Sequence, residues 1–220
     1  MNIAFFSECW DPQINGVVTS TKALINSLDH GQDRVSVFAP YYPSYTDTYP
    51  AIFRQPAIRY FFQPEFFFSS PLPHAAIRRA RRWDVELVHM HTEFTLGMAG
   101  IRVARALAVP AVLTLHTLWE HYNHYFFWGV TPRNLVRRTL SLLYTGPDYF
   151  IAPTQKAKDY LTDTLGVTKP VTIIPTGIDL AAFTAAGQNA ERERLRAAWG
   201  VAPSDTLHPQ APRRCPRPGC

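Results

Sequence analysis

Residues 87–117 read LVHMHTEFTLGMAGIRVARALAVPAVLTLHT, and this stretch decides the fold class. Leu87–His91 is a short, largely apolar run, a candidate strand. Leu96–Leu107 follows as a candidate helix, and Ala111–Leu115 is a second apolar run entered through Pro110. Two such runs around a helix form a βαβ unit, with parallel strands and a right-handed crossover. The alternation extends both ways. Upstream, Asn2–Phe6 is a candidate strand, residues 17–28 a helix and Arg34–Ala39 a strand ended by Pro40. Downstream, Tyr149–Ala152, Gln155–Leu165 and Val171–Ile174 repeat strand, helix and strand, and Asn189–Trp199 is a charged helix stopped by Gly200. The expected fold is α/β, a Rossmann-like doubly wound parallel sheet over residues 1–180.

The chain of 220 residues is 46% hydrophobic and 18% charged, the composition of an ordinary globular protein. No stretch approaches the about 20 apolar residues that span a bilayer. The N-terminus meets Glu8 and Asp11 too soon for a signal peptide. Three cysteines make no disulfide framework, so a reducing, cytoplasmic setting is expected. The net charge of +5 misleads, because residues 208–220 (HPQAPRRCPRPGC) hold three arginines and no acid. The rest is only mildly basic, which gives no argument for nucleic acid. That tail is expected to be disordered, the product of a frameshift or truncation.

Residues 41–68 hold eleven Tyr and Phe, interrupted by four prolines, and are expected to form an excursion from the sheet rather than a strand. Residues 76–83 (AIRRARRW) are a basic helix candidate. Arg78, Arg79, Arg81, Arg82 and Trp83 form either a solvated helix face or a patch suited to an anionic lipid surface.

In parallel sheets, ligands bind beyond the carboxyl ends of the strands. That rule points to the loops after Phe6, His91 and Leu115. Asn15, Gly16 and Val17 open the first helix. They are either an ordinary turn or an anion site, where free N–H groups and the helix dipole favour phosphate. Neither GxGxxG nor GxxxxGK occurs. Five of the eight histidines lie between positions 89 and 124. His89 and His91 share a strand face; His89 is expected to be a core residue with one hydrogen bond, His116 to be available for a sugar hydroxyl or a phosphate, and His91 to be either a core residue or available in the same way. A zinc hydrolase using His89, His91 and His116 is an alternative. Glu8, Glu93 and Glu120 each offer either a general base or, as expected, a solvated carboxylate. Thr176, Gly177 and Asp179 form either a turn or the rim of a cleft.

Four segments together resemble the N-terminal domain of family 4 glycosyltransferases: Asp11–Val18 (DPQINGVV), Val88–Thr92 (VHMHT), Thr114–Thr117 (TLHT) and Ile174–Asp179 (IPTGID). Within that family the chain is most similar to bacterial 1,2-diacylglycerol 3-glucosyltransferases, whose HTxYExY-type segment His116–Tyr122 (HTLWEHY) resembles. The resemblance implies a two-domain GT-B fold and a retaining transfer of hexose, with the donor phosphate assisting attack on the same face. It places His116 beside the transferred hexose and Asn15, Gly16 and Val17 beside the donor pyrophosphate. His91, Thr117, Glu120 and Tyr122 would line the acceptor or sugar pocket. It implies no metal and no cofactor, a nucleotide-sugar such as UDP-glucose as substrate, and a diacylglycerol acceptor reached at the inner face of the membrane. Arg133, Arg137 and Arg138 would join residues 41–83 as the docking surface.

The expected organisation is an acceptor-side domain over 1–183, an interdomain segment over 184–207 and the aberrant tail 208–220. The family's second, donor-binding domain is not recognisable after Leu207, so the chain is expected to be inactive alone. A non-catalytic lipid-binding remnant is a further alternative.

Overall fold

A computed structural model describes residues 1–30, 33–43, 45–59, 67–119, 132–177, 185–202 and 205. The chain divides into two units, Met1–Ile178 and Asp179–Cys220.

The first unit is built on seven parallel strands: β1 (Asn2–Phe6), β2 (Arg34–Pro40), β3 (Ile52–Gln55), β6 (Leu87–Met90), β7 (Ala111–Thr114), β8 (Tyr149–Ala152) and β9 (Val171–Ile173). They lie in the order β3-β2-β1-β6-β7-β8-β9. β4 (Ala57–Arg59) and β5 (Phe67–Ser69) form a separate antiparallel ribbon. Helices α1 (Gly16–His30), α2 (His74–Arg82), α3 (Thr95–Leu107), α4 (Arg133–Leu143) and α5 (Gln155–Asp159) connect the strands; a π-helical turn, Tyr160–Thr164, continues α5. This is the expected doubly wound sheet.

β1 is central, which is why its sequence is a continuous apolar run rather than an alternating one. Its residues still sort by face. Ala4 and Phe6 enter the larger core, packed by α2, α3, α4 and α5; Ile3 and Phe5 enter a second core, packed by Ile25, Leu24 and Leu28 of α1.

Two expectations change. The 41–68 excursion does contain a sheet strand: β3 pairs with β2, Phe38 opposite Phe53. Pro50 and Pro56 bracket this strand rather than interrupt it, as an edge position permits. Helix α4 was not anticipated. In the second unit, α6 (Ala185–Ala198) covers most of the expected charged helix, and Gly200 adopts a positive φ of 63° after it.

The start of α3 is packed tightly against the turn that follows β6. A Cβ at Gly97 would run into the Thr92 carbonyl oxygen. Gly97→Ala should therefore cost about 2 kcal/mol through overpacking, although alanine favours helix by about 1 kcal/mol. Urea unfolding measures this. An unchanged or raised midpoint would refute the tight packing.

Candidate active site

The strand order reverses between β1 and β6: the chain runs outward through β2 and β3 on one side and through β7, β8 and β9 on the other. In such sheets the reversal opens a crevice at the carboxyl ends. The residues after β1, β6 and β7 meet there.

The pleat builds a polar ladder at this point. Val88 and Met90 of β6, and Ala111, Leu113 and Leu115 of and after β7, face the larger core. The intervening residues turn to the opposite face. There His89 Nε2 lies 2.7 Å from Thr114 Oγ1, and His91 Nδ1 lies 3.1 Å from His116 Nε2. Phe5 packs against both His89 and His91, with ring centroids 5.0 and 4.6 Å away. His89 and His91 are buried, whereas His116 is half-buried. Burial pushes His89 down to about 3, with the nearby His116 adding to the effect. It pushes His116 down to about 4 and His91 well below its ordinary value. All three imidazoles are thus neutral at pH 7. Among the described residues His89 makes one hydrogen bond, that to Thr114, as a core histidine does. Among the described residues, no three His, Cys, Asp or Glu side chains are placed to hold a metal ion. The zinc-hydrolase reading therefore gains no support from the geometry.

Glu8 and Glu93 correct the expectation of solvated carboxylates, since each is only 4% exposed. The Glu8 carboxylate accepts from Thr95 Oγ1 at 2.9 Å, from Thr92 Oγ1 and from the Leu96 backbone N–H. It caps α3 from across the sheet, because Phe94 at the N-cap supplies no side-chain bond. Glu93 accepts from Trp119 Nε1 and Tyr144 Oη, both at 3.0 Å. It ties the end of β6 to the segment after β7 and to the end of α4. Burial raises Glu93 to about 7 and also raises Glu8, with the hydrogen bonds pulling both back. Each carboxylate lies two or three residues beyond a buried strand, the signal that could have revealed its burial.

Asn15 is the N-cap of α1: its Oδ1 accepts the Val18 N–H at 3.0 Å. The side chain is thus occupied by the helix. Gly16 and Val17 follow it, and first-turn N–H groups have no intrahelical acceptor. A Cβ at Gly16 would meet nothing within 4 Å, so open space lies before this backbone. Arg54 and Tyr42 hold the loop from behind. Arg54 donates to the Asp11 carbonyl at 2.7 Å, and Gln13 Nε2 donates to Tyr42 Oη at 2.5 Å.

Thr117 is half-buried directly after His116. Beside it, Trp119 packs edge-on against Phe94, 4.8 Å between centroids, and Phe94 against Phe68 of β5 at 6.1 Å. The aromatic ribbon therefore reaches the carboxyl-end side of the sheet. Thr176 and Gly177 are exposed beyond edge strand β9, two strands from β7. Glu120, Tyr122 and Asp179 lie outside the described residues.

Arg78, Arg79, Arg81 and Arg82 are exposed on α2. Trp83 is not part of that surface: it packs against the core, 5.7 Å from the Phe53 ring, under the Arg34 guanidinium. Arg34 begins β2, and Arg81 reaches the Ala106 carbonyl near the end of α3. The end of α2 thus lies at the amino-end edge of the sheet, opposite His91 and His116. α4 leads into β8 at the amino end of the sheet, where the Asp148 N–H bonds the Ala111 carbonyl, and it carries Arg133, Arg137, Arg138 and Leu135 exposed.

A family model described as Glycosyltransferase Family 4 matches residues 14–182. The alpha-monoglucosyldiacylglycerol synthase of Streptococcus pneumoniae is 32% identical over 187 residues, which cover 83% of this chain and 42% of that protein. The protein of the same name from Acholeplasma laidlawii is 30% identical over 207 residues, covering 87% of this chain and 50% of that protein. The chain thus spans about half the length of these curated relatives. Among solved structures, sucrose-phosphate synthase from Thermosynechococcus elongatus superposes with a TM-score of 0.62 at 13% identity, covering 91% of this chain and 53% of that one. Anabaena HepE, solved in complex with UDP, gives 0.60 at 16% identity, covering 91% and 50%. At such identities these two speak for the fold alone.

Proposed function

Because the chain belongs to glycosyltransferase family 4, we propose that it is the acceptor-side domain of a retaining glucosyltransferase, moving glucose from UDP-glucose to diacylglycerol. The observation that carries this reading is the His116 and Gly16 arrangement at the carboxyl ends, together with relatives named for a monoglucosyldiacylglycerol product. The N–H groups of Gly16 and Val17 receive the donor pyrophosphate. His116 hydrogen-bonds the transferred glucose as a neutral ring; its depressed pKa makes it a poor source of an imidazolium acid at pH 7. Thr117 and the Phe68–Phe94–Trp119 wall border the acceptor.

A lipid acceptor must arrive from the side of the sheet that holds His116. Because α4 runs into β8 at the amino end of the sheet, we take its start, with Arg133, Arg137 and exposed Leu135, to be directed toward the His116 side; the end of α2 lies on the other. We therefore assign membrane contact to α4 and the aromatic ribbon, and treat the α2 arginines as a solvated face. No described helix is long and apolar enough to cross a membrane.

The test is transfer of labelled glucose from UDP-glucose to diacylglycerol vesicles. It compares the chain with a version joined to the C-terminal half of the Streptococcus pneumoniae relative. Transfer by the joined version is expected, with His116→Ala lowering its kcat by about 100-fold, the usual cost of one well-placed polar contact at a reacting centre. No transfer by either protein would sink the reading.

A further inference from the structure

Two facing ring nitrogens can share only one proton. His91 Nδ1 and His116 Nε2 face each other at 3.1 Å, and each neutral imidazole carries a single proton. The pair is therefore restricted to two states, with both rings protonated on Nδ1 or both on Nε2. The buried ring dictates the tautomer of the half-buried one.

His91 Nε2 decides between the two states. It is buried and has no hydrogen-bond partner among the described residues. Its ring is packed against Phe5 and His89, with centroids 4.6 and 4.3 Å away. Protonation on Nε2 would leave a buried N–H without an acceptor. Orphaned donors are rarer in native interiors than unfilled acceptors. Protonation on Nδ1 leaves only an unused lone pair, and it directs the His91 proton onto His116 Nε2. This cost opposes the mild preference of free imidazole for its Nε2 proton.

We propose that His91 is a positioning residue that locks His116 in its Nδ1–H tautomer, so that His116 presents a hydrogen-bond donor, not a lone pair, at the strand ends. A donor there selects oxygen lone pairs on its ligand, those of a sugar hydroxyl or a phosphate, and passes over ammonium and amide N–H groups. The choice of a sugar rests on the proposed function; the tautomer does not. The logic is that of a hydrolase triad, where a buried partner fixes the working tautomer of a histidine.

Long-range 15N–1H correlation on the 15N-labelled chain at pH 7 distinguishes protonated from bare ring nitrogens. The His116 signals are identified by their loss in His116→Gln. The wild-type chain is expected to show a protonated Nδ1 and a bare Nε2 on His116. His91→Phe removes the donor and should return His116 to the Nε2–H form. His91→Asn can place an amide N–H where Nδ1 stood and should retain the Nδ1–H form. A wild-type His116 protonated on Nε2 would overturn the proposal. So would an Nδ1–H form that survives in folded His91→Phe. If His91→Phe does not fold, the wild-type and His91→Asn spectra still decide. Failure of glucose transfer would count against the proposed function and leave the tautomer result standing.

Discussion

Lowering the pH from 7 to 5 is expected to cost the Met1–Ile178 unit about 2 kcal/mol of folding stability, and about 4 kcal/mol once Glu93 is replaced by Gln. Two opposed sets of buried groups produce this. His89 and His116 fall from an ordinary 6.5 to about 3 and about 4 in the fold, and His91 falls further in the same direction. Below pH 6.5 the unfolded chain binds protons that these rings refuse. Their contribution is intact above 6.5 and is lost as the pH falls toward the folded values, by about 2 kcal/mol each for His89 and His116 at pH 5, with His91 adding to the loss and Glu8 opposing it. Glu93 works the other way, raised from 4.5 to about 7. The folded state keeps a proton that the unfolded chain has released. That contribution is fully present below 4.5 and disappears as the pH rises through 7, so acidification returns about 2 kcal/mol. Glu8 shifts in the same direction and softens the loss further. Gln at position 93 imitates the protonated carboxyl toward Trp119 and Tyr144 but takes up no proton. Urea unfolding at pH 5, 6 and 7 reads both slopes. Parallel pH profiles for wild type and Glu93→Gln would refute the buried-carboxyl account.

The strands and most helices were legible because parallel strands covered on both faces must be apolar runs, and such runs separated by helix lengths have few alternatives. β1 and β8 were expected with the bounds they adopt. β3 was hidden because Pro50 and Pro56 look like breaks in a sequence, whereas an edge strand tolerates them at its ends. α4 was hidden because Arg133, Arg137 and Arg138 drew attention as a charge cluster, although Val136, Leu140 and Leu143, which face the core, stand at helical spacing. At the site, alternation along β6 placed His89 and His91 on one face, and the strand-end rule placed His116 near them. The actual pairing needed the register, in which Met90 stands opposite Leu113 and so brings His91 diagonally to His116. Glu8 and Glu93 escaped because the groups that bury and satisfy them are distant in sequence: Thr92, Thr95 and Leu96 for one, Trp119 and Tyr144 for the other.

Arg54→Ala is expected to cost about 3 kcal/mol and to loosen the loop that carries Asn15 and Gly16. Arg54 projects from β3, and its side chain is only 13% exposed. Its Nη1 donates to the Pro40 carbonyl at 2.6 Å, Nη2 to the Asp11 carbonyl at 2.7 Å, and Nε and Nη2 to the two Asp47 carboxylate oxygens at 3.0 and 2.5 Å. The guanidinium also lies 5.6 Å from the ring centroids of both Tyr42 and Tyr45. One planar group thus joins the end of β2, the loop after β1 and the segment before β3. Alanine would leave Asp47 without its cation and two carbonyls without their donor. A lysine carries the charge but is a single point with three donors, so Arg54→Lys should recover only part of the loss. Asp47→Asn separates the ion pair from the anchoring: it weakens the carboxylate contact and leaves both carbonyl bonds in place. It should cost less than Arg54→Ala and leave the loop closed. Hydrogen exchange at Gln13, Val18 and Thr19, whose N–H groups bond the Trp10 carbonyl, Asn15 Oδ1 and the Asn15 carbonyl, should then accelerate in Arg54→Ala and stay near wild type in Asp47→Asn. Equal stability losses and equal exchange in the two variants would reduce Arg54 to an ion-pair partner. A selective acceleration would instead make the edge strand the support of the loop that faces the donor phosphates in the proposed function, and in the joined protein Arg54→Ala would then raise KM for the proposed donor more than it lowers kcat.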